Sequence, residues 1–331
     1  MSLRDDFIMN MEQAIRDFPK QFEYEPTVLR DGVFGKASYF IVSGMGGSHL
    51  AADLLQSVRP AMPFTVHADY GFPVVHADMV RETFFIASSY SGNTEEVIDG
   101  LEEARRRGFP AAAISVGGRL EELAREYELP FVKIPDTGIQ PRSALGFNLL
   151  GLLKLMGLDE EIKEVRGLGR VLRTKYNEET GNALSQKLHN ATPIIYASHA
   201  NKAIAYNWKI KCNETGKIPA FYNVFPELNH NEMTGYDSTE TTKHLSEKYH
   251  FIFLRDTEDD PRIQKRMDVC KELYKKRGLP VTDAPLEGAT RWERIFNSLL
   301  TADWFAYYTG MAYGVETEHV PMVEEFKKLI T

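Results

Sequence analysis

Short apolar runs closed by turn-forming residues, each followed by apolar positions at helical spacing, recur along the first half of the chain. Residues 39–42 and 84–87 are such runs, and strands are also expected at 64–68, 83–87, 111–116 and 131–134. Continuous apolar stretches of this length predict strands buried on both faces, as in a parallel sheet. Between them, residues 49–57, 95–107 and 120–127 read as helices; the second carries Val97, Ile98, Leu101 and Ala104 on one face. An N-terminal helix is expected over residues 4–17, with Phe7, Ile8, Met11 and Ile15 in register. After the proline-bounded segment 135–141, Arg142 opens a further helix through Leu149, Leu152, Leu153 and Met156. Alternation of this kind predicts a mainly parallel sheet flanked by helices, whose ligands bind beyond the C-terminal ends of the strands.

The second half repeats the grammar without repeating the sequence. Strands are expected at 194–197, 251–254 and around Val281, and helices at 203–212, 262–277 and 290–313. Between the halves, residues 157–192 bring Gly157, a charged stretch, Gly167, Gly169 and a polar helix. That shift in composition marks a linker with a connecting helix. The reading is an α/β chain of two domains, 1–156 and 193–331, joined by 157–192. The full 331 residues are enough for two separate cores.

Composition narrows the function classes. With 43% hydrophobic and 26% charged residues the chain has ordinary globular values, and no run of eighteen apolar residues is present. No membrane partner is expected. The first residues are charged and lack the apolar stretch of a secretory signal, and two cysteines, Cys212 and Cys270, cannot build a disulfide framework. A cytoplasmic location is expected. A net charge of -8 offers no footprint for nucleic acid, and Arg105, Arg106 and Arg107 read as a solvated helix end.

The candidate chemistry sits at two turns. Ser89, Ser91, Gly92, Asn93 and Thr94 lie between the strand at 83–87 and the helix at 95–107. There, helix N-terminal N–H groups, hydroxyls and a glycine suit an oxyanion such as phosphate. Simple helix capping is the bland alternative for one such turn. A second turn, Gly44, Met45, Gly46, Gly47 and Ser48, follows the strand at 39–42. SYSGNT and GMGGS together resemble the sugar isomerase (SIS) domain, in which the serine turn holds a sugar phosphate and the glycine turn lies along the sugar. The resemblance implies two SIS-type domains, each an αβα sandwich. It also implies a substrate-binding set of Gly46, Gly47, Ser48, Ser89, Ser91, Gly92, Asn93 and Thr94.

Further on, the segments NETGKIPAF and PELNHNE resemble the bifunctional phosphoglucose/phosphomannose isomerases, a branch of the SIS isomerases. That resemblance implies Glu214 as the base and His230 as the group that assists ring opening. It implies a catalytic lysine on a closing helix that holds Val320, Pro321, Val323 and Phe326. Lys327 fits that position, and the adjacent Lys328 is the alternative. It implies an arginine from a PRS-type loop, here Arg142. It also implies a homodimer with shared active sites, with His230 serving its own or its partner's. The small residue Gly216 after Thr215, and VETEHV before the last helix, depart from the family pattern.

The chemistry expected is interconversion of glucose 6-phosphate, and of mannose 6-phosphate, with fructose 6-phosphate through an enediolate. It needs a group to open the ring, a base to move a proton between C2 and C1, and donors for the enediolate oxygens. No cofactor is expected, and the scattered histidines show no metal-ligand spacing such as HExxH. Two alternatives are another SIS sugar-phosphate enzyme, such as an amidotransferase, and a non-catalytic sugar-phosphate-binding regulator.

Overall fold

The computed structural model describes residues 10–30, 37–74, 82–237 and 239–330. The chain divides into two compact units, Met1–Val171 and Leu172–Thr331. In the first unit, α1 spans Met11–Arg16, so residues 4–9 of the expected N-terminal helix, with Phe7 and Ile8, lie outside the described residues. Asn10 caps it, accepting from the Gln13 N–H at 2.8 Å. There follow β1 (Val28–Leu29), β2 (Tyr39–Ser43), α2 (Leu50–Val58), β3 (Phe64–His67), β4 (Thr83–Ser88) and α3 (Glu95–Arg106). The unit continues through β5 (Ala111–Ser115), α4 (Gly118–Glu126), β6 (Phe131–Lys133), α5 (Leu145–Leu155) and α6 (Asp159–Val171).

The first sheet has the order β1-β6-β5-β4-β2-β3, parallel except for β1, which pairs antiparallel with β6. Strand residues alternate between faces. Ile41, Phe85, Ala87, Ala111, Ala113 and Phe131 meet Val97 and Leu101 of α3 and Leu120 and Leu123 of α4. On the opposite face α5 lies so close that a Cβ on Gly151 would stand 3.2 Å from Val132 and 3.4 Å from Ile114. Burying a large apolar side chain contributes about 1.5–3 kcal/mol. An exposed pair such as Lys163 and Glu160, with side chains 71% and 82% exposed, contributes at most about 1 kcal/mol. The two covered faces therefore dominate the stability of this unit.

The strand order of the first unit has a switch point between β2 and β4. β2 lies between β3 and β4, so the chain leaves β2 toward one edge and returns on its other side. Ser43 pairs with Ala87 at the C-terminal ends of β2 and β4. The turns that follow these two strands are therefore neighbours at the switch point, where ligands of open α/β sheets bind.

The second unit holds α7 (Thr174–Lys187), β7 (Thr192–Ser198), α8 (Lys202–Glu214), β8 (Phe221–Phe225), the short α9 (Glu232–Gly235), β9 (Tyr249–Arg255) and α10 (Pro261–Lys276). β10 (Val281–Pro285), α11 (Arg291–Tyr313) and α12 (Pro321–Ile330) complete it. Its sheet, in the order β10-β9-β7-β8, is parallel throughout. Tyr196, Phe225, Phe251 and Phe253 pack on Met267, Cys270 and Tyr274 of α10. α7 approaches α11 so closely that a Cβ on Gly181 would lie 2.7 Å from the Phe305 nitrogen. On α8, the buried ammonium of Lys211 donates to Asp303 of α11 at 2.5 Å.

β8 is the one strand of this sheet that the apolar pattern does not predict. It is the edge strand, and Tyr222, Asn223 and Val224 are half-buried, so it lacks the continuous apolar run of the covered strands. The segment 157–192 contains both α6 and α7, the last helix of one unit and the first of the other. Among the described residues no helix is long and apolar enough to cross a membrane.

His250 on β9 gives this unit a pH dependence. Its Nε2 lies 2.8 Å from Thr282 Oγ1, and burial, with a smaller contribution from Lys187, holds its pKa down to about 4. The unfolded chain takes up that proton near pH 6.5, whereas the folded chain does not until about pH 4. Stability is therefore lost as pH falls through that window. His250→Gln is expected to flatten the fall in Tm between pH 6.5 and pH 4. An unchanged slope in thermal scans across that range would assign the acid sensitivity elsewhere.

Candidate active site

The site in the first unit is built where the turns after β2 and β4 meet the turn before α5. Gly46–Ser48 form a short 3-10 segment entered by Gly46 at φ +51. Ser48 is buried, and its hydroxyl accepts from the Tyr90 N–H at 2.9 Å, while Ser88 Oγ donates to the Ser48 carbonyl at 3.0 Å. Ser48 thus ties the glycine turn to the serine turn. Gly47 meets a third segment. A Cβ there would lie 2.7 Å from the Arg142 nitrogen, so only glycine lets the 3-10 turn Pro141–Ser143 press against it.

Arg142 itself is 2% exposed, so it is not a solvated surface arginine. It lies in the 3-10 turn ahead of α5 rather than in the helix proper. The turn is held by Gln21, which the sequence reading did not single out. Its amide donates to the Ser143 carbonyl at 2.7 Å, and its Oε1 accepts from the Gly146 and Phe147 N–H groups at 3.0 and 3.4 Å. A buried Gln between two prolines carries no local signal of this kind; its partners lie more than a hundred residues away.

In the serine turn the hydroxyls divide the work. Ser89, buried, accepts from the Gly92 N–H at 3.1 Å and lies 2.7 Å from Thr94 Oγ1. Asn93 Oδ1 accepts from the Arg119 N–H at 2.9 Å, which pins the start of α4 to the turn. Thr94 stands at the N-cap of α3 and makes no cap hydrogen bond, and Ser91 is exposed. Simple capping therefore does not account for the turn. The first N–H groups of α3 receive no side-chain cap, and with Ser91 and Thr94 they form a donor set suited to a phosphate. Ser89, Gly92 and Asn93 shape that set.

In the second unit Glu214 is the last residue of α8 and half-buried. The turn beyond it packs on α11: a Cβ on Gly310 would lie 3.0 Å from the Thr215 carbonyl. Gly216, the departure from the family pattern, sits where a Cβ would meet the Cys212 carbonyl at 2.9 Å. Lys217, at φ +54, sends its ammonium to the Glu214 carbonyl at 2.5 Å and to the His319 carbonyl ahead of α12. It links the end of the glutamate helix to the entry of the closing helix, a role visible only in three dimensions. Lys327 and Lys328 are both exposed on α12, Lys327 being 3.9 Å from Glu324. His230 is exposed at the end of the 3-10 turn Glu227–His230.

The cysteines offer no nucleophile. Burial pushes the Cys212 thiol up to about 12 and the Cys270 thiol up to about 11, which keeps both protonated and inert.

Comparison with known proteins agrees with this architecture. Residues 177–330 match the family model described as bacterial phospho-glucose isomerase C-terminal SIS domain. The chain is 36% identical over 304 residues to a bifunctional phosphoglucose/phosphomannose isomerase of Caldicellulosiruptor bescii, covering 87% of this chain and 88% of that protein. It is 33% identical over 325 residues to a protein of the same name from Thermoplasma acidophilum, covering 98% of each. Among solved structures, the C-terminal domain of glucosamine-fructose-6-phosphate aminotransferase from Francisella tularensis superposes with a TM-score of 0.65. At 14% identity, over 97% of this chain and 100% of that one, it shares the fold.

Proposed function

Because the chain belongs to the bifunctional phosphoglucose/phosphomannose isomerase family, we propose that it interconverts glucose 6-phosphate and mannose 6-phosphate with fructose 6-phosphate. The observation that carries the reading is the meeting of three segments at the C-terminal ends of β2 and β4. Gly47 lies against the Pro141–Ser143 turn, and Ser48 is bonded to the serine turn. Phosphate is held by the α3 N-terminus with Ser91 and Thr94, while Arg142 stabilises the negative charge that develops on the enediolate. Glu214 moves the proton between C2 and C1, and His230 and Lys327 exchange protons with the ring oxygen and the anomeric hydroxyl. Fixing the phosphate orients the reacting carbons before the proton moves.

The proposed chemistry requires no metal. The deciding assay follows fructose 6-phosphate formation from each aldose phosphate separately, with a chelator present. Turnover of both is expected. Turnover of neither refutes the reading, and turnover that the chelator abolishes assigns the chemistry to a metal.

A further inference from the structure

We propose that Glu232 is the positioning residue for His230, holding the loop that carries the imidazole in one place on the second sheet. The inference rests on the role given to His230 above. His230 is exposed, yet the segment around it is fastened on both sides. Before it, Leu228 is fully buried in the core with Phe225 and Phe253. After it, the half-buried Glu232 turns back to the sheet. Its Oε1 accepts from the Tyr196 hydroxyl at 2.5 Å and its Oε2 accepts from the Asn223 amide. Tyr196 is fully buried in β7, with the Tyr274 hydroxyl 3.5 Å away, and Asn223 comes from the edge strand β8. Between the two anchors, Asn231 accepts from the Glu232 N–H at 2.5 Å and donates to Glu227 at 2.7 Å.

A solvated loop needs none of this. Drawing a carboxylate toward the core costs free energy unless donors meet it, and here a phenol and an amide are both committed to it. Burial raises the Tyr196 phenol far above its ordinary range, so it stays a donor at every working pH. What the arrangement gains is a fixed position for the two residues just before Glu232, one of which is His230. A proton-transfer group displaced by about 1 Å loses much of its effect.

The test separates positioning from general damage by using two substrates. Fructose 6-phosphate must be ring-opened before Glu214 can act on it. 5-Deoxyfructose 6-phosphate has no C5 hydroxyl, cannot close a furanose ring and needs the base alone. Glu232→Gln is expected to lower kcat on fructose 6-phosphate by about 10–100-fold, part of the ~10²–10⁴ that a general acid or base supplies. On the 5-deoxy compound kcat should stay within about twofold. Tyr196→Phe removes one donor and keeps the ring in the core, so it should show the same discrimination to a smaller degree, and it decides the matter if Glu232→Gln does not fold. His230→Ala is the reference and should discriminate most strongly.

If His230→Ala discriminates while neither Glu232→Gln nor Tyr196→Phe does, the positioning role is overturned and the role of His230 stands. If either variant lowers both substrates equally, Glu232 is merely structural and the proposal is again overturned. If His230→Ala itself does not discriminate, the ring-opening role fails and the inference falls with it.

Discussion

Glu214→Gln is expected to stop exchange of the substrate C2 hydrogen with solvent while sugar-phosphate affinity stays close to that of the parent protein. Glutamine keeps the shape of the side chain and removes its basicity, and loss of a general base costs about 10²–10⁴-fold in rate. The main-chain bonds at the end of α8 do not depend on the carboxylate. Lys217 holds the Glu214 carbonyl, and the Thr215 N–H bonds to the Lys211 carbonyl at 2.9 Å. The proposed phosphate donors belong to α3 and its preceding turn, so the mutation leaves them untouched. The measurement is incorporation of deuterium at C2 of the aldose phosphate in deuterated water, read alongside binding of fructose 6-phosphate. Both aldose activities should fall together, because in the proposed mechanism one carboxylate serves both C2 epimers through a common enediolate. Mannose phosphate turnover that survives while glucose phosphate turnover is lost would reveal a second base.

Gly92→Ala is expected to raise KM for every sugar phosphate at least tenfold, the equivalent of about 1.4 kcal/mol, and to lower Tm. Two effects combine. Gly92 has φ +73, a left-handed conformation that costs a side-chain-bearing residue roughly 1–2 kcal/mol. Its Cβ would also stand 1.8 Å from the Gly117 carbonyl oxygen, which is backbone and cannot swing away. The loop at 116–120 is bonded to the turn itself: the Val116 N–H to the Tyr90 carbonyl, the Leu120 N–H to the Gly92 carbonyl, and the Arg119 N–H to Asn93. Relieving the clash therefore pulls the proposed phosphate donors out of place. Gly108→Ala separates the two effects, since Gly108 has φ +79 with nothing within 4 Å of a Cβ. It should lose stability and keep its KM. Equal KM values in the two variants would show that the serine turn does not hold the phosphate.

The covered strands and their helices were readable from the sequence because they are buried on both faces. An apolar run such as 84–87, completely enclosed in the sheet, has no other stable place. The two turns were readable for a similar local reason: hydroxyls and glycines between an apolar strand and a helix start can serve few purposes. The edge strand β8 escaped because a half-buried strand with Asn223 at its centre gives no continuous run. Within the turn, residue types alone did not separate Ser89, which shapes the loop through Gly92 and Thr94, from the exposed Ser91.

What only the tertiary structure decided is which distant segments touch. Gln21 holds the Arg142 turn from 122 residues away, Lys217 joins the glutamate turn to the main chain at His319, and Tyr196 of β7 reaches Glu232, 36 residues further along the chain. Local periodicity reports which face of an element is buried, and that much the sequence determined by itself. The partner met on that face depends on strand order and loop path, which balance chain entropy against burial over the whole unit. No window of the sequence contains that balance.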